Sequence, residues 1–427
     1  MASPQPSALS PAVTPTRARY GVLGFTLGLM AVAYLDRVCI ATAAPAIKAD
    51  LGLSDAQMGY VFSAFTTAYA LFEVPSGWLA DRFGARLMLA RIVVWWSAMT
   101  AATGAAVGFW SLVGIRFLFG MGEAGALPSI ARAFGRWLPA RESGRAFGLA
   151  VMAGALGGAL TQPLVVAMLE RIHWRHSFVI FGMTGTVWVV AWLWWFRDDP
   201  HSHPSVNEAE LRLIGSDPPA PHAAVPWRAL RRNRTMGAVC LMYMSAIYGW
   251  YFYLTWLPTY LLRARGFDLH QTGWLAALPL LSIAFGVLFG GWVSDPLVRR
   301  WGVRAGRRAP ALVGLPLAAA AVIGAVLTPQ PLLAALLLAA AAGCAAMCVA
   351  PAWAVCLELG GRHAGVVTGT MNMFGNIGGA LSPVVTGLCL QWWSSWNMPL
   401  VTVAAFYGVA AACWLLIDPE EKLQGVG

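Results

Sequence analysis

Long apolar runs separated by short polar segments dominate the chain from Val22 to Ile417. About 20 residues of apolar α-helix cross the hydrocarbon core of a bilayer, so each run predicts a membrane-spanning helix. The predicted spans lie near residues 20–44, 57–79, 87–109, 111–135, 144–168, 176–196, 235–261, 271–294, 309–328, 331–357, 365–390 and 396–417. The pattern therefore predicts an all-α membrane protein with twelve transmembrane helices.

A polar interval from Arg197 to Arg234 separates the first six spans from the last six. The predicted segments are a disordered N-terminal tail (1–18), an N-terminal six-helix bundle (19–197), a cytoplasmic central loop (198–233), a C-terminal six-helix bundle (234–418) and a C-terminal tail (419–427). Within the central loop, the pattern of Asn207–Ile214 predicts a short amphipathic helix on the cytoplasmic face.

Composition supports a membrane protein. The chain is 58% hydrophobic and 11% charged, with a mean hydropathy of +0.63, whereas soluble domains carry about 25% charged residues. The formal charge of +10 lies in short loops between spans, which indicates membrane topology and not a nucleic-acid partner. The seven cysteines lie in apolar runs without CxxC spacing, so neither a zinc site nor a disulfide framework is predicted.

The distribution of basic residues predicts the orientation. If both termini are cytoplasmic, 22 of the 29 Lys and Arg residues lie on the cytoplasmic side, five lie outside, and Arg37 and Arg116 lie within spans. Cytoplasmic loops are enriched in Lys and Arg. We therefore expect a multi-pass protein of the bacterial inner membrane, embedded in the lipid bilayer as a monomer, with both termini in the cytoplasm.

The two halves are related by sequence. Residues 144–160 align without gaps on residues 365–381, and eight of the 17 positions are identical at an offset of 221. GWLADR at 77–82 aligns with GWVSDP at 291–296 at an offset of 214. Parallel repeats of six helices place a substrate cavity at their interface near the membrane midplane. The halves are therefore predicted to be pseudo-repeats.

Few charged residues fall inside the predicted spans. They are Asp36 and Arg37 in span 1 and Arg116 and Glu123 in span 4, with Glu73 near the end of span 2. A charge at the bilayer centre costs at least about 2.5–3.5 kcal/mol, so such residues face a cavity or a partner. Helical spacing suggests two arginines facing a central site with the two carboxylates set to one side. Ion pairs needed only for folding are the alternative.

The chemistry of these groups suggests a division of roles. An arginine guanidinium is always charged and presents a donor fork suited to a carboxylate, so Arg37 and Arg116 are candidate anion ligands. Carboxylates in a desolvated cavity take up protons more readily than in water, so Asp36 and Glu123 are candidate proton carriers. Glu73 lies close to the loop after span 2 and is expected to pair with the arginines of that loop.

Uncharged polar and aromatic residues are predicted to complete the substrate site. Amides inside a membrane need partners, which favours Gln162 and Asn376. The full candidate set is Tyr34, Tyr69, Gln162, Tyr248, Tyr253, Trp353, Asn372 and Asn376. Packing is an equal alternative for each tyrosine and for Trp353.

The loop between spans 2 and 3 reads GWLADRFGAR over residues 77–86. It resembles the G-x-L-x-D-R-x-G-R loop of the major facilitator superfamily, and a degenerate counterpart follows span 8. The resemblance implies a conformational latch between the halves on the cytoplasmic side, formed by Gly77, Asp81, Arg82, Gly84, Arg86 and Asp295. Simple positive-inside anchoring explains the arginines but not Asp81.

Within that superfamily the chain resembles the anion:cation symporter family. The resemblance is carried by Tyr34-Leu-Asp36-Arg37, by Arg116 and Glu123 followed by Pro128, by the segment 251–261, and by Asn372, Asn376 and Gly379. It implies a proton-coupled secondary active symporter that imports a small organic anion, such as a sugar acid or related carboxylate, by rocker-switch alternating access. It also implies that both arginines bind substrate and that Asp36 and Glu123 couple protons.

Other functions remain as alternatives. An exporter of anionic compounds or an anion exchanger of the same superfamily fits the same charges. An organophosphate:phosphate exchanger is disfavoured because residues 235–262 contain no charge. A sensor would be expected to carry an additional signalling domain. No cofactor besides the coupling proton is expected, nor enzymatic activity, since no GxSxG, HExxH or P-loop pattern stands out.

Overall fold

The computed structural model describes residues 14–215, 230 and 232–421, and in these ranges the regular structure is helical without strands. The side chains of Val74, Asp81, Ala140, Arg141 and Arg362 lie outside the description. Most of the two predicted tails and the second part of the predicted central loop also lie outside it.

The first half contains six spans. Span 1 is Ala18–Leu51, spans 2 and 3 are the two parts of Asp55–Thr103, span 4 is Phe109–Glu123 with Ala126–Trp137, span 5 is Ala140–Leu169 and span 6 is Trp174–Trp195. The central segment then forms a 3₁₀ turn at Pro200–Ser202 and a helix at Glu208–Ile214. The short helix predicted within the central loop is therefore present, and its position on the cytoplasmic face stays a prediction.

The second half repeats this order. Span 7 is Arg234–Thr255 with Leu257–Arg265, and spans 8 and 9 are the two parts of Leu269–Leu327. Span 10 is Pro331–Ala346 with Val349–Gly360. A 3₁₀ turn at Gly361–His363 precedes span 11, Ala364–Trp393, and span 12 is Asn397–Leu416. Seven of the described helices are individually long and apolar enough to cross a membrane. The twelve-span, all-α prediction is confirmed.

Two glycines break the long helices at matching places in the halves. Gly84 (φ 82°, ψ 161°) separates spans 2 and 3, and Gly302 (φ 83°, ψ 167°) separates spans 8 and 9. This backbone region is accessible almost only to glycine. The breaks lie 218 positions apart, between the two offsets found in the sequence, so the halves share one architecture.

Glycines also allow matching helices to approach closely in each half. A Cβ atom on Gly157 of span 5 would lie 2.6 Å from the Cα atom of Ala31 in span 1, and one on Gly378 of span 11 would lie 2.0 Å from the carbonyl oxygen of Met244 in span 7. Small residues let membrane helices pack backbone against backbone. The repeat at offset 221 therefore encodes the same helix contact twice.

The halves meet where span 2 packs against span 11 and span 5 against span 8. We call the end of the bundle where span 1 begins and span 12 ends the terminal face, and the other end the opposite face. Near the opposite face, the Ser63 hydroxyl donates to the carbonyl of Ala380 (2.7 Å), and the Arg263 guanidinium lies 3.4 Å from the Asp55 carboxylate. These contacts join the halves on that side.

The central segment is fastened to the first half at the terminal face. The fully buried carboxylate of Glu210 accepts the backbone N–H groups of Ala18 and Arg19, both at 3.2 Å, and the Arg19 guanidinium at 3.1 Å. A carboxylate at a helix N-terminus satisfies free N–H groups and the positive end of the helix dipole. Glu210 therefore caps span 1 from another part of the chain.

Replacing Gly378 by alanine should destabilise the protein, because the new methyl group would meet the Met244 backbone, which cannot move aside. We expect a loss of about 1–3 kcal/mol, the usual range for overpacking. The measurement is the midpoint of thermal unfolding in detergent. The matched control is Gly369→Ala on the same helix, where a Cβ atom meets nothing within 4 Å. Equal midpoints for the two variants would contradict the packing assignment.

Replacing Glu210 by glutamine should also lower the unfolding midpoint, because it removes the charged acceptor at the start of span 1. Hydrogen bonds to charged groups contribute about 1.5–3 kcal/mol, so a loss of that order is expected. Glu208→Gln is the control, since Glu208 is 86% exposed and its ion-pair partner among the described residues is the exposed Arg212. Such surface pairs contribute little. A drop as large for Glu208→Gln would show that Glu210 has no special role.

Candidate functional site

An ion pair between spans 1 and 4 lies at the centre of the first half. The Arg37 guanidinium pairs with the carboxylate of Glu123, which is 2% exposed. Glu123 is the last residue of the first part of span 4, just before the break in that span. The expectation that both carboxylates stand apart from the arginines is therefore wrong for Glu123. A buried cation needs a partner, and the long Arg37 side chain reaches one on a neighbouring helix.

Aromatic rings enclose the Arg37 guanidinium. Its central carbon lies 5.2 Å from the ring centroid of Tyr34, 5.0 Å from that of Phe65 and 5.4 Å from that of Tyr69. Arg116, which is 2% exposed, lies 5.2 Å from the same Phe65 ring. Cations within about 6 Å of an aromatic face are attracted to it. The Phe65 ring therefore contacts both predicted anion-binding arginines.

Asp36 is the least supported of the central charges. It is fully buried, and neither carboxylate oxygen has a hydrogen-bond partner among the described residues. Arg116, Glu123, Thr100 and Cys39 lie close enough to interact with it electrostatically. A buried charge without a hydrogen-bonded partner is strongly unfavourable. The ionised form of Asp36 therefore has little stabilisation in this structure, so the acid is a candidate for taking up a proton.

Several other buried polar atoms around this centre lack a partner within the described part of the chain. The Thr42 hydroxyl donates to the side-chain oxygen of Gln162, but the Gln162 amide nitrogen has no acceptor. The Nε atoms of Arg37 and Arg116 and one carboxylate oxygen of Glu123 are also unsatisfied. Buried polar groups are normally hydrogen-bonded, and exceptions require an explanation such as a ligand.

Glu73 contacts the second half of the protein and not the loop after span 2. Its two carboxylate oxygens accept hydrogen bonds from the amide nitrogens of Asn372 (2.8 Å) and Asn376 (3.2 Å) in span 11. The expectation that Glu73 pairs with loop arginines is wrong. Span 2 packs along span 11, so the amides of span 11 lie next to the Glu73 carboxylate, closer than the arginines of the loop. Two predicted substrate amides are thus held by an acid of the other half.

Three other predicted site residues have described contacts within the second half. The Tyr248 hydroxyl lies 3.0 Å from the Thr402 hydroxyl, and its ring stacks on Phe406 at 4.0 Å. Trp353 donates to a tyrosine hydroxyl of span 7 at 3.3 Å. Tyr253 is buried and lines a cavity with residues of spans 7, 8, 10 and 12. The contacts of Tyr248 and Trp353 fit the packing alternative, whereas the Tyr253 hydroxyl has no hydrogen-bond partner among the described residues and leaves both alternatives open.

Two aromatic residues of the centre were missed by sequence reasoning. Phe65 contacts both arginines, and Tyr251 of span 7 faces Arg37 from the second half. The repeat carried a signal for one of them. Tyr251 lies 217 positions after Tyr34 and packs on Gly379, as Tyr34 packs on the matching glycine of span 5. Extending the alignment to spans 1 and 7 would have predicted Tyr251.

The loop between spans 2 and 3 is held by the end of span 6. The Arg86 backbone N–H donates to the Asp198 carboxylate at 3.0 Å, and a Cβ atom on Gly84 would lie 2.8 Å from the same group. Arg82 is exposed, with its guanidinium 5.7 Å from the Trp78 ring centroid. The predicted contribution of Asp81 falls on a side chain outside the description.

The counterpart loop of the second half is held in a similar way. The Asp295 carboxylate lies 2.8 Å from Arg307, and Arg307 also lies 2.9 Å from Glu358. The described contacts of both loops stay within their own halves. A latch between the halves therefore remains a prediction. Within the described residues, no group of three or more His, Cys, Asp and Glu side chains is placed to hold a metal ion.

The sequence matches the Major Facilitator Superfamily over residues 26–383 and again over residues 239–426. A probable sulfoacetate transporter of Cupriavidus necator is 36% identical over 94% of this chain and 94% of that protein. A D-galactonate transporter of Escherichia coli O6:H1 is 30% identical over 97% of this chain and 99% of that protein. A probable galactarate/D-glucarate transporter of Bacillus subtilis is 30% identical over 96% and 94%.

Solved structures show the same fold. A bacterial homolog of the human lysosomal transporter Spinster, in an inward-facing and occupied conformation, matches with a TM-score of 0.76 over 94% of this chain and 97% of that chain, at 20% identity. Its inward-facing and unoccupied conformation matches with a TM-score of 0.72 over 94% and 95%, at 21% identity. The chain belongs to the major facilitator superfamily of membrane transporters and is not an enzyme.

Proposed function

We propose that this protein is a proton-coupled symporter that imports a small organic anion by alternating access. The observation that carries the proposal is the buried centre of the first half, where Arg37 and Arg116 both contact the Phe65 ring with Glu123 and Asp36 beside them. Few arrangements in a membrane place two permanent cations and two titratable acids so close together. Each intramembrane charge is expensive, so a functional reason for the group is expected.

The anion would bind to the two guanidinium groups. Arg116 forms no ion pair with the described residues, and its Nε atom lacks an acceptor. Arg37 is held by Glu123. A carboxylate or sulfonate group accepts two parallel N–H donors of a guanidinium, which gives both affinity and orientation. The unsatisfied amide nitrogen of Gln162 would donate to a further oxygen of the anion.

Proton coupling follows from competition for Arg37. While Glu123 is ionised it occupies the guanidinium, so an incoming anion meets a neutralised pair. A proton on Glu123 removes its charge and releases Arg37 to the anion. Asp36 interacts with Arg116 and Glu123, so its protonation would have a similar effect on the second arginine. Substrate and protons would therefore bind together.

The contacts between the halves suggest which side of the site is open. Contacts across the interface on the side of the opposite face include Ser63 with span 11, Asp55 with Arg263 of span 7, and Gly273 of span 8 with span 5. On the side of the terminal face, Glu73 accepts the hydrogen bonds of Asn372 and Asn376, which the anion would displace. The site would then open toward the terminal face. With both termini in the cytoplasm of a bacterial inner membrane, this is an inward-facing monomer. Rocking of the two halves would expose the site to the other side.

The relatives suggest which anions to test first. Sulfoacetate, D-galactonate and D-glucarate are small acids named for similar transporters. We propose that the substrate belongs to this class of hydrophilic organic anions, with sulfoacetate as the first candidate because that relative is the more similar one. The decisive experiment is uptake of each labelled anion into proteoliposomes with and without an inward proton gradient. Exchange driven by internal anion, independent of the proton gradient, would favour the exchanger alternative.

Replacing Arg116 by alanine should abolish uptake of sulfoacetate into proteoliposomes, because the anion loses a permanent counter-charge inside the membrane. Arg116→Lys should recover only part of the uptake, since an ammonium group lacks the planar donor fork. Arg212→Ala is the control, because Arg212 lies on the exposed helix of the central segment. Normal uptake by Arg116→Ala would exclude this residue from anion binding.

Replacing Glu123 by glutamine should separate binding from coupling. The neutral side chain imitates the protonated acid, so Arg37 stays available and the protein should still exchange labelled for unlabelled anion. Accumulation driven by a proton gradient should be lost, because the proton can no longer bind and leave. Counterflow and gradient-driven uptake are measured on the same proteoliposomes. Full accumulation by Glu123→Gln would refute the coupling role.

A further inference from the structure

Glu73 occupies an unusual position for an acid inside a membrane transporter. It lies in span 2, one helical turn after Tyr69, and its carboxylate is held by two neutral amides of span 11. Within the described part of the chain, no Lys or Arg side chain forms an ion pair with it. Arg37 interacts with it at longer range from span 1. Glu73 is therefore a carboxyl group of the first half that faces the site and is held by neutral amides of the second half.

The hydrogen bonds to Glu73 are of the kind that a substrate anion would accept. Asn372 and Asn376 are one helical turn apart, so their amide nitrogens point to the same place and hold one carboxylate oxygen each. A carboxylate or sulfonate of a substrate presents the same kind of acceptor pair. Hydrogen bonds to an ionised acceptor are about twice as strong as neutral ones. The two amides therefore form an anion-binding pair that is already occupied by a side chain.

We propose that Glu73 acts as a tethered competitor for the substrate anion. Its carboxylate holds the span 11 amides while the site is empty, and it is displaced from them when the anion binds. The inference rests on the proposed function and assigns Glu73 a role in setting affinity. It is a specificity-determining residue, since it opposes the entry of a second negative charge. Anion binding would also release a link between spans 2 and 11.

A purely structural role predicts the opposite effect on binding. If Glu73 only held the halves together, its removal would loosen the site and weaken anion binding. A competitor that occupies the amides most of the time lowers the apparent affinity in proportion to the free fraction. Removing its charge should therefore tighten binding. The sign of the change in affinity separates the two roles.

The test compares equilibrium binding of sulfoacetate to the purified full-length protein and to Glu73→Gln and Glu73→Ala, at constant pH. Glu73→Ala should bind about tenfold more tightly, as expected on removal of a competitor that occupies its partners about nine-tenths of the time. Glu73→Gln should bind more tightly by a smaller factor, because its neutral amide oxygen still accepts from the asparagines but more weakly than a carboxylate. The control is Glu142→Gln, because Glu142 pairs with Arg19 near the start of span 1, away from the site. The control should bind like the unmodified protein. Unchanged or weaker binding by both Glu73 variants would overturn the inference.

A double-mutant cycle sharpens the test. Asn372→Ala should weaken sulfoacetate binding more in the Glu73→Ala background than in the unmodified protein, because the truncated side chain leaves the amide of Asn372 free for the anion. Equal effects in both backgrounds would show that Glu73 and the anion do not share this partner, and the inference would fail.

Failure of anion binding itself, on which the proposed function rests, gives a different result. Neither the unmodified protein nor any variant would then bind sulfoacetate, D-galactonate or D-glucarate, and both proposals would be overturned together. Binding by the unmodified protein with no gain in the Glu73 variants overturns the inference alone.

Discussion

Ionised side chains inside a bilayer must be balanced by nearby groups, and the centre of this protein is organised around that requirement. Arg37 has Glu123 and an aromatic enclosure, Arg116 has aromatic faces, and Glu73 has two amides. Asp36 has the weakest support. The balance is incomplete, because several buried donors and acceptors are unsatisfied. An anion and its protons would complete it, so binding and charge neutralisation are the same event.

The two halves share a backbone design but differ in charge. Matching glycines let span 5 pack on span 1 and span 11 pack on span 7, and matching glycines end spans 2 and 8. The central charges all belong to the first half, while the second half contributes neutral groups such as Asn372 and Tyr251. If the halves rock as proposed, their motion would separate the hydrogen-bond donors of the second half from the fixed charges of the first. Such a division would let the site change its affinity for an anion without moving a charge through the hydrocarbon.

The sequence alone was sufficient to predict the membrane spans and the internal repeat, because the length of apolar runs and the spacing of glycines are local signals. It did not reveal how the charges pair. A helical spacing gives the direction of Arg37 but not the helix that its long side chain reaches, so the pair with Glu123 was not predicted. Glu73 was assigned to a nearby loop because its true partners are about 300 residues away along the chain. Tyr251 was within reach of the repeat alignment, whereas Phe65 carried no sequence signal.

The ion pair between Asp55 and Arg263 has a consequence for the rate at which the empty transporter changes conformation. It bridges the halves at the opposite face, and Arg263 is 43% exposed, so dissolved ions reach it. Exposed charges are screened by salt over about 8–10 Å at ordinary ionic strength. The return of the empty carrier must break this pair if the opposite face opens in each cycle. The ionic strength of the medium on that side would then have a small effect on how quickly the carrier resets, because an exposed pair of this kind contributes little. That effect would be independent of how tightly the carrier holds its cargo.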